Sequence, residues 1–187
     1  MILHSNRIET NINGMKLIAH LEDTCYPNNG FDHTRNIARG VVYDDEHKIY
    51  LIHLVSNDSF GRRDTLETPG GGVKKGETIK EALIREIGEE LGFEIDNIEE
   101  IGRVVDYYNH IKRRNNNHYF LAHFCGLTNK HLEEYEKKMM KGVVRIDVSD
   151  AIDSLLNTSN DGVNVLVRNR EVPILKIAQK MLAKKKK

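Results

Sequence analysis

GGVKKGETIKEALIREIGEELGF, residues 71–93, holds a helix whose two ends and one troublesome face can be read directly. Thr78 followed three residues later by Glu81 has the form of a capping box, so the helix is expected to begin at Ile79. Gly92 followed by apolar Phe93 has the form of a glycine C-cap, so it is expected to end at Leu91. With Glu86 set at zero and about 100° per residue, Glu90 falls at about 40° and Glu89 at about 300°. Ile79, Leu83 and Ile87 fall at about 20°, 60° and 100°. Glu90 therefore lies within the apolar stripe that should face a core. An unpaired carboxylate there is strongly unfavourable, and neighbouring carboxylates add repulsion. The compensating cation is either Arg85, on the adjacent face, or a divalent metal. Oxygen-only ligands favour Mg²⁺, Mn²⁺ or Ca²⁺ over zinc. The competing reading is a solvated acidic face with i,i+4 pairs, but Glu90 and Phe93, not lysines, stand four residues after Glu86 and Glu89. Gly70-Gly71-Gly72 lets the backbone approach a ligand closely, beside a helix N-terminus that favours phosphate. No Gly-Lys-Ser/Thr follows, so the loop is not a Walker A loop.

Outward from this helix, alternation at Met15–Leu21 suggests a strand. Ala38–Tyr43 and Lys48–Val55 read as strands joined by a hairpin at Asp44–His47, followed by a polar loop at Ser56–Asp64. Strands are expected at Ile98–Tyr107 and His118–Cys125, with a polar hinge at His110–Asn117. His131–Lys141 reads as a helix or helical loop, Val143–Asp147 as a strand, and Ser149–Leu156 as a short helix. Val163 to about Ala183 holds one or two helices, with Pro173 as a break or first-turn residue. Strands in hairpins, one central helix and terminal helices indicate an α+β or α/β/α layered domain rather than an all-parallel sheet.

The length of 187 residues suits one domain of ordinary size. Lys plus Arg equals Asp plus Glu at 28 each, which argues against a dedicated nucleic-acid or anionic-membrane binder. Cys25 and Cys125 have neither zinc-site nor disulfide-framework spacing and read as reduced thiols. MILHSNRIET lacks the pattern of a signal peptide, and no apolar run approaches the roughly 20 residues of a membrane span. A cytoplasmic location is the resulting expectation. The run Lys184–Lys187 reads as a solvated helix end.

Gly71, five residues, Glu77, seven residues, Arg85-Glu86-Ile87, one residue, Glu89-Glu90, one residue and Gly92-Phe93 resembles a complete Nudix box, over about an eighth of the chain. The resemblance implies an α/β/α sandwich with a mixed β-sheet and a catalytic loop-helix, spanning residues 1–187 as a single domain. Residues 1–36 would be an N-terminal strand and extension, and 160–187 a C-terminal helical segment. It implies hydrolysis of a nucleoside diphosphate linked to another moiety, with Mg²⁺ or Mn²⁺ as cofactor. It places Glu86, Glu89 and Glu90 as metal ligands and catalytic acids, with the Gly71 carbonyl as a further ligand. Glu77 becomes a structural or metal-associated acid, and Arg85 the arginine that orients the acids.

The implied chemistry is water attack on a phosphorus of a pyrophosphate linkage, with a carboxylate taking the proton. Glu133, Glu134 and Glu136 are candidates for an acid on a later loop, against an exposed helix paired with Lys137 and Lys138. Glu67, before the box, resembles the acid of nucleotide-sugar and ADP-ribose hydrolases. Tyr108, where those enzymes usually carry proline, resembles the diadenosine-polyphosphate group. Tyr107 and Tyr108 can also be read simply as alternating strand residues. Arg39, Arg103 and the run Lys112-Arg113-Arg114 are candidates to meet phosphates, the run also reading as a solvated turn. The expected partner is a nucleotide-type small molecule, with no nucleic acid and no membrane, and the resemblance allows a homodimer. Two alternatives stand beside this reading: a house-cleaning (d)NTP pyrophosphohydrolase, and a non-catalytic nucleotide-sensing module.

Overall fold

The computed structural model describes residues 14–160 and 162–185. The N-terminal decapeptide read above for a signal sequence, and Lys186 and Lys187 of the terminal run, lie outside them.

Strands β1 (Leu17–Leu21), β2 (His33–Tyr43), β3 (Ile49–Asp58), β4 (Gly61–Glu67) and β5 (Gly70–Gly72) precede helix α1 (Ile79–Leu91). Strands β6 (Phe93–Tyr108) and β7 (Arg113–Leu127) follow, joined by a 3₁₀ turn at Asn109–Ile111. The chain closes with α2 (Glu134–Met139), β8 (Met140–Ile146), α3 (Val148–Leu156) and α4 (Gly162–Lys185). The sheet is mixed, in the order β1-β6-β7-β2-β3-β4, with β5 on β2 and β8 on β3. The β1–β6 and β2–β7 pairs are parallel.

Both faces of the sheet are covered, as period-two alternation requires. Ala38 and Val42 of β2 pack with Ala82, Leu83, Ile87 and Leu91 of α1. Val41 and Tyr43, at the intervening positions, pack with Ala151 and Leu155 of α3 and Val167, Leu175 and Ala178 of α4. The result is an α+β domain with a helix–sheet–helix layering.

Helix α1 has the boundaries its sequence implies. Glu81 N donates to Thr78 Oγ1 at 3.2 Å and Thr78 N donates to a Glu81 carboxylate oxygen at 2.7 Å, while Gly92 closes the helix at φ 73°. The Asp44–His47 hairpin also forms, with His47 N donating to Asp44 O at 2.8 Å.

Three expectations are corrected. Ser56–Asp64 is not a loop: β3 and β4 continue as a paired hairpin through Asn57–Arg62 and turn between Asp58 and Gly61. Its side chains are polar, so ladder pairing leaves no apolar alternation to read. The hinge is confined to the 3₁₀ turn and Lys112, because Arg113–Asn117 belong to β7, between β2 and β6. A polar strand flanked on both sides is unusual; here its polar side chains serve the site described below. Finally, α4 runs unbroken through Pro173. Packing of Val167, Ile174, Leu175 and Ala178 into the core outweighs the hydrogen bond lost at one proline. Lys185, expected in a solvated end, pairs with Glu99 and lies over the Tyr43 ring at 5.8 Å. No helix among the described residues is long and apolar enough to cross a membrane.

Candidate functional site

A cavity of about 430 Å³ opens where β2, β5, β7, α1 and α2 meet. Its walls divide into an acidic side and a basic side.

The acidic side comes from α1 and α2. Carboxylate oxygens of Glu86, Glu90 and Glu136 lie within 4.8 Å of one another. Glu86 is buried, and Glu90 accepts a hydrogen bond from Gly70 N at 2.7 Å. Burial, opposed by the Gly70 amide and aided by the negative charge of Glu86, pushes the Glu90 carboxyl up to about 8. Burial likewise raises Glu86, against the pull of Arg85. Two carboxylates that burial makes costly to ionise, with the Glu136 carboxylate beside them, match a divalent cation of the hard, oxygen-seeking kind, whose charge would remove that cost. The residues present therefore fit such an ion. The surrounding backbone is built close: a Cβ on Gly71 would lie 2.5 Å from the Glu86 carboxyl group, so any larger residue there would push that carboxyl out of place.

Arg85 organises the remaining box acids. Its Nε donates to Glu77 Oε1 at 2.7 Å, and its Nη1 donates to Glu86 Oε1 at 2.7 Å and Glu89 Oε2 at 2.9 Å. Its Nη2 donates to Gly72 O and Glu77 Oε2, both at 3.0 Å, which ties the glycine loop to the helix. The Arg85 hydrogen bonds hold Glu77 down at about 2. Glu89 also approaches Lys74, at 3.9 Å.

The expected metal positions thus fall into two groups. Glu86 and Glu90 meet at one point, joined by Glu136. Glu77 and Glu89 gather on Arg85, which also touches Glu86. Of the later-loop acids, Glu136 reaches the cluster and also accepts from Glu133 N at 2.8 Å, fixing the start of α2. Glu133 lines the cavity, whereas Glu134 is exposed and pairs with Lys137 at 2.7 Å.

The basic side collects the expected substrate residues. Glu67 is buried and receives Arg170 Nη2 at 2.9 Å, with Arg63 at 3.5 Å and Arg39 at 3.7 Å. Burial alone would raise its carboxyl, but Arg63, Arg170 and Arg39 together hold it at about 2. Tyr108, also buried, accepts from Arg170 Nη1 at 3.0 Å, and Arg39 donates to Thr68 O at 3.0 Å. Glu67, Tyr108 and Arg39 are therefore one network centred on Arg170, and all of them line the cavity. Arg103, the other early phosphate candidate, is buried and donates to Asn116 Oδ1 at 3.3 Å.

Sequence reasoning missed Arg170, Arg35 and Asn115. A signal existed for Arg170. It lies three and four residues after Val167 and Leu166 and four before Ile174, inside the buried stripe of α4, the same conflict that marked Glu90. Arg35 and Asn115 lay in polar stretches with no apolar pattern to set them off.

A family model described as NUDIX domain matches residues 33–175. An 8-oxo-dGTP diphosphatase of Haemophilus influenzae is 39% identical over 56 residues, 30% of this chain and 40% of that protein's length. Among solved structures, one described as an ADP compounds hydrolase superposes with a TM-score of 0.59 at 20% identity, covering 81% of this chain and 74% of that one. A NUDIX hydrolase from Nitrosomonas europaea superposes with a TM-score of 0.55 at 14% identity, covering 74% and 90%. At these identities the superpositions show a shared fold.

Proposed function

Because the chain belongs to the NUDIX domain family, we propose that it hydrolyses a pyrophosphate bond in a nucleoside diphosphate linked to another moiety, using Mg²⁺ or Mn²⁺. The observation that carries this reading is the convergence of Glu86, Glu90 and Glu136 within 4.8 Å in the wall of a cavity whose other side is lined by arginines.

Glu86, Glu90 and Glu136 would hold the divalent cation. When bound, such an ion neutralises phosphate oxygens and lowers the pKa of an attacking water. Arg85 is a positioning residue: it orients Glu86 and Glu89 and fixes the Gly72 carbonyl through one guanidinium. Glu89, partly exposed, outside the three-carboxylate group and held by Arg85 Nη1 at 2.9 Å, is the box acid assigned to accept the water's proton. The Gly71 backbone completes the cradle against Glu86. Arg39 and Tyr108, fixed by Glu67 and Arg170, form the wall against which the nucleotide lies.

A (d)NTP substrate is the second reading, favoured by the partial match to the Haemophilus influenzae 8-oxo-dGTP diphosphatase. The test is a panel of ADP-ribose, nucleotide sugars, dinucleoside polyphosphates and (d)NTPs, assayed with Mg²⁺ or Mn²⁺ and with EDTA, with products separated by chromatography. At least one member should turn over only with metal. No turnover of any member would overturn the hydrolase reading in favour of a nucleotide-sensing module.

A further inference from the structure

One corner of the cavity is not used by the machinery above. Arg35 of β2 is paired in register with Asn115 of the parallel strand β7, and Arg113 lies two residues before Asn115, on the same face of that strand. All three line the cavity. Asn115 is 1% exposed, yet neither its Oδ1 nor its Nδ2 has a hydrogen-bond partner among the described residues. The buried Nε of Arg113 is likewise without one. A buried amide normally satisfies both its donor and its acceptor, so this one is shaped for something that enters.

The charges say what enters. Arg35 and Arg113 form no ion pair among the described residues. Burial weighs most against the charge of Arg113, and the positive charge of Arg35 adds to it. Asp106, the acid acting on Arg113, is already approached by Arg170 at 3.6 Å. Arg113 is held in place by the Tyr108 ring, 5.3 Å below its guanidinium carbon. Arg35 passes close over Gly72, where a Cβ would lie 2.4 Å from its Nε. Two guanidinium groups thus share a corner with an unpartnered amide donor, one glycine away from the loop position packed against Glu86. A terminal phosphate carries about 1.5 to 2 negative charges and strong acceptor oxygens, which suits two cations and an amide N–H. A neutral sugar can accept from the amide but brings no charge to the two guanidinium groups.

We propose that Arg35, Arg113 and Asn115 form a phosphate subsite, separate from the carboxylate group, that selects a substrate with a chain of at least three phosphates over one whose diphosphate ends in a neutral sugar. This rests on the hydrolase reading for its catalytic consequence but not for binding, so the test separates the two.

Inorganic pyrophosphate is titrated calorimetrically into protein held in EDTA. Binding should occur without metal, weaken about tenfold or more in Arg35→Ala and Arg113→Ala, and survive Glu90→Gln. Absence of metal-free binding, or binding lost through Glu90→Gln and kept without the arginines, overturns the subsite. The second arm compares kcat/KM for ATP, diadenosine tetraphosphate and ADP-ribose in Mg²⁺. Arg35→Ala, a change at an exposed position that spares the core, should lower the values for the first two about tenfold or more and leave that for ADP-ribose within about twofold. An equal fall for all three would place the arginines on the scissile diphosphate and overturn the proposal. Pyrophosphate binding that depends on both arginines, with no turnover of any nucleotide in Mg²⁺, would uphold the subsite and sink the hydrolase reading instead.

Discussion

At Gly71 a single methyl group separates a working site from a blocked one. An added Cβ would meet the Glu86 carboxyl at 2.5 Å, so that carboxyl must shift and give up its 2.7 Å contact with Arg85. Gly71→Ala is expected to displace Glu86, abolishing metal-dependent turnover while the far-ultraviolet dichroism spectrum stays unchanged. Activity within threefold of wild type would contradict the role given to Glu86. Arg85→Ala removes the cation between three carboxylates. It should lower both stability, by about 2 kcal/mol for a partly buried network, and the rate, as read by denaturant titration and steady-state kinetics. Some of this was legible in the sequence. Glu90 declared itself by standing in an apolar stripe without a lysine four residues on. Glu136 did not, because on a short polar helix beside Lys137 and Lys138 it has the pattern of a solvated acid, and only the docking of α2 brings it to Glu86 and Glu90.

Helix α1 was readable because three independent local signals agree over thirteen residues: the Thr78–Glu81 box, the apolar stripe and Gly92. Thr78→Ala should cost about 1 kcal/mol by loss of the cap, seen as a lower denaturant midpoint with an unchanged slope. No change in midpoint would mean the cap is already satisfied by water. β7 was only half readable. Its apolar part, from Tyr119 to Ala122, follows the strand pattern, but Arg113–Asn117 does not, because Arg113 and Asn115 line a polar cavity and Asn116 and Asn117 make polar contacts with Arg103, Asn36 and Asp106 instead of packing in the core. Pattern reasoning assumes that burial means apolar burial, and this strand breaks that assumption where function requires it. The same reason hid Arg170, which α4 buries beneath the cavity to hold Glu67 and Tyr108.

For the whole molecule, the two-layer core implies shared stability. Helix α4 packs against β1, β4, β6 and α3, so we propose that the chain unfolds as one domain, in a single transition. Two separated transitions would contradict this. Acid sensitivity follows from His118, 2% exposed, whose pKa burial and the nearby Arg103 lower to about 4. The unfolded chain takes up the proton first, at about pH 6.5, so the stability that neutral His118 contributes is whole above that pH and falls as the pH drops to about 4. The loss amounts to about 3 kcal/mol. Glu67 acts lower: with its folded pKa held at about 2, its contribution is present above about 4.5 and lost as the pH falls toward 2. His118→Gln should remove the part of the fall in melting temperature that His118 causes between pH 6.5 and 4 and leave the steeper fall below 4.5. A profile identical to wild type would show that His118 is solvated in the native state.

Mn²⁺ binding measured calorimetrically in wild type, Glu90→Gln, Glu136→Gln and Glu89→Gln tests most directly the proposal that a divalent cation is held where α1 meets α2. The first two variants are predicted to bind Mn²⁺ at least about tenfold more weakly and Glu89→Gln within about threefold of wild type. Undiminished Mn²⁺ affinity in Glu90→Gln would contradict the account.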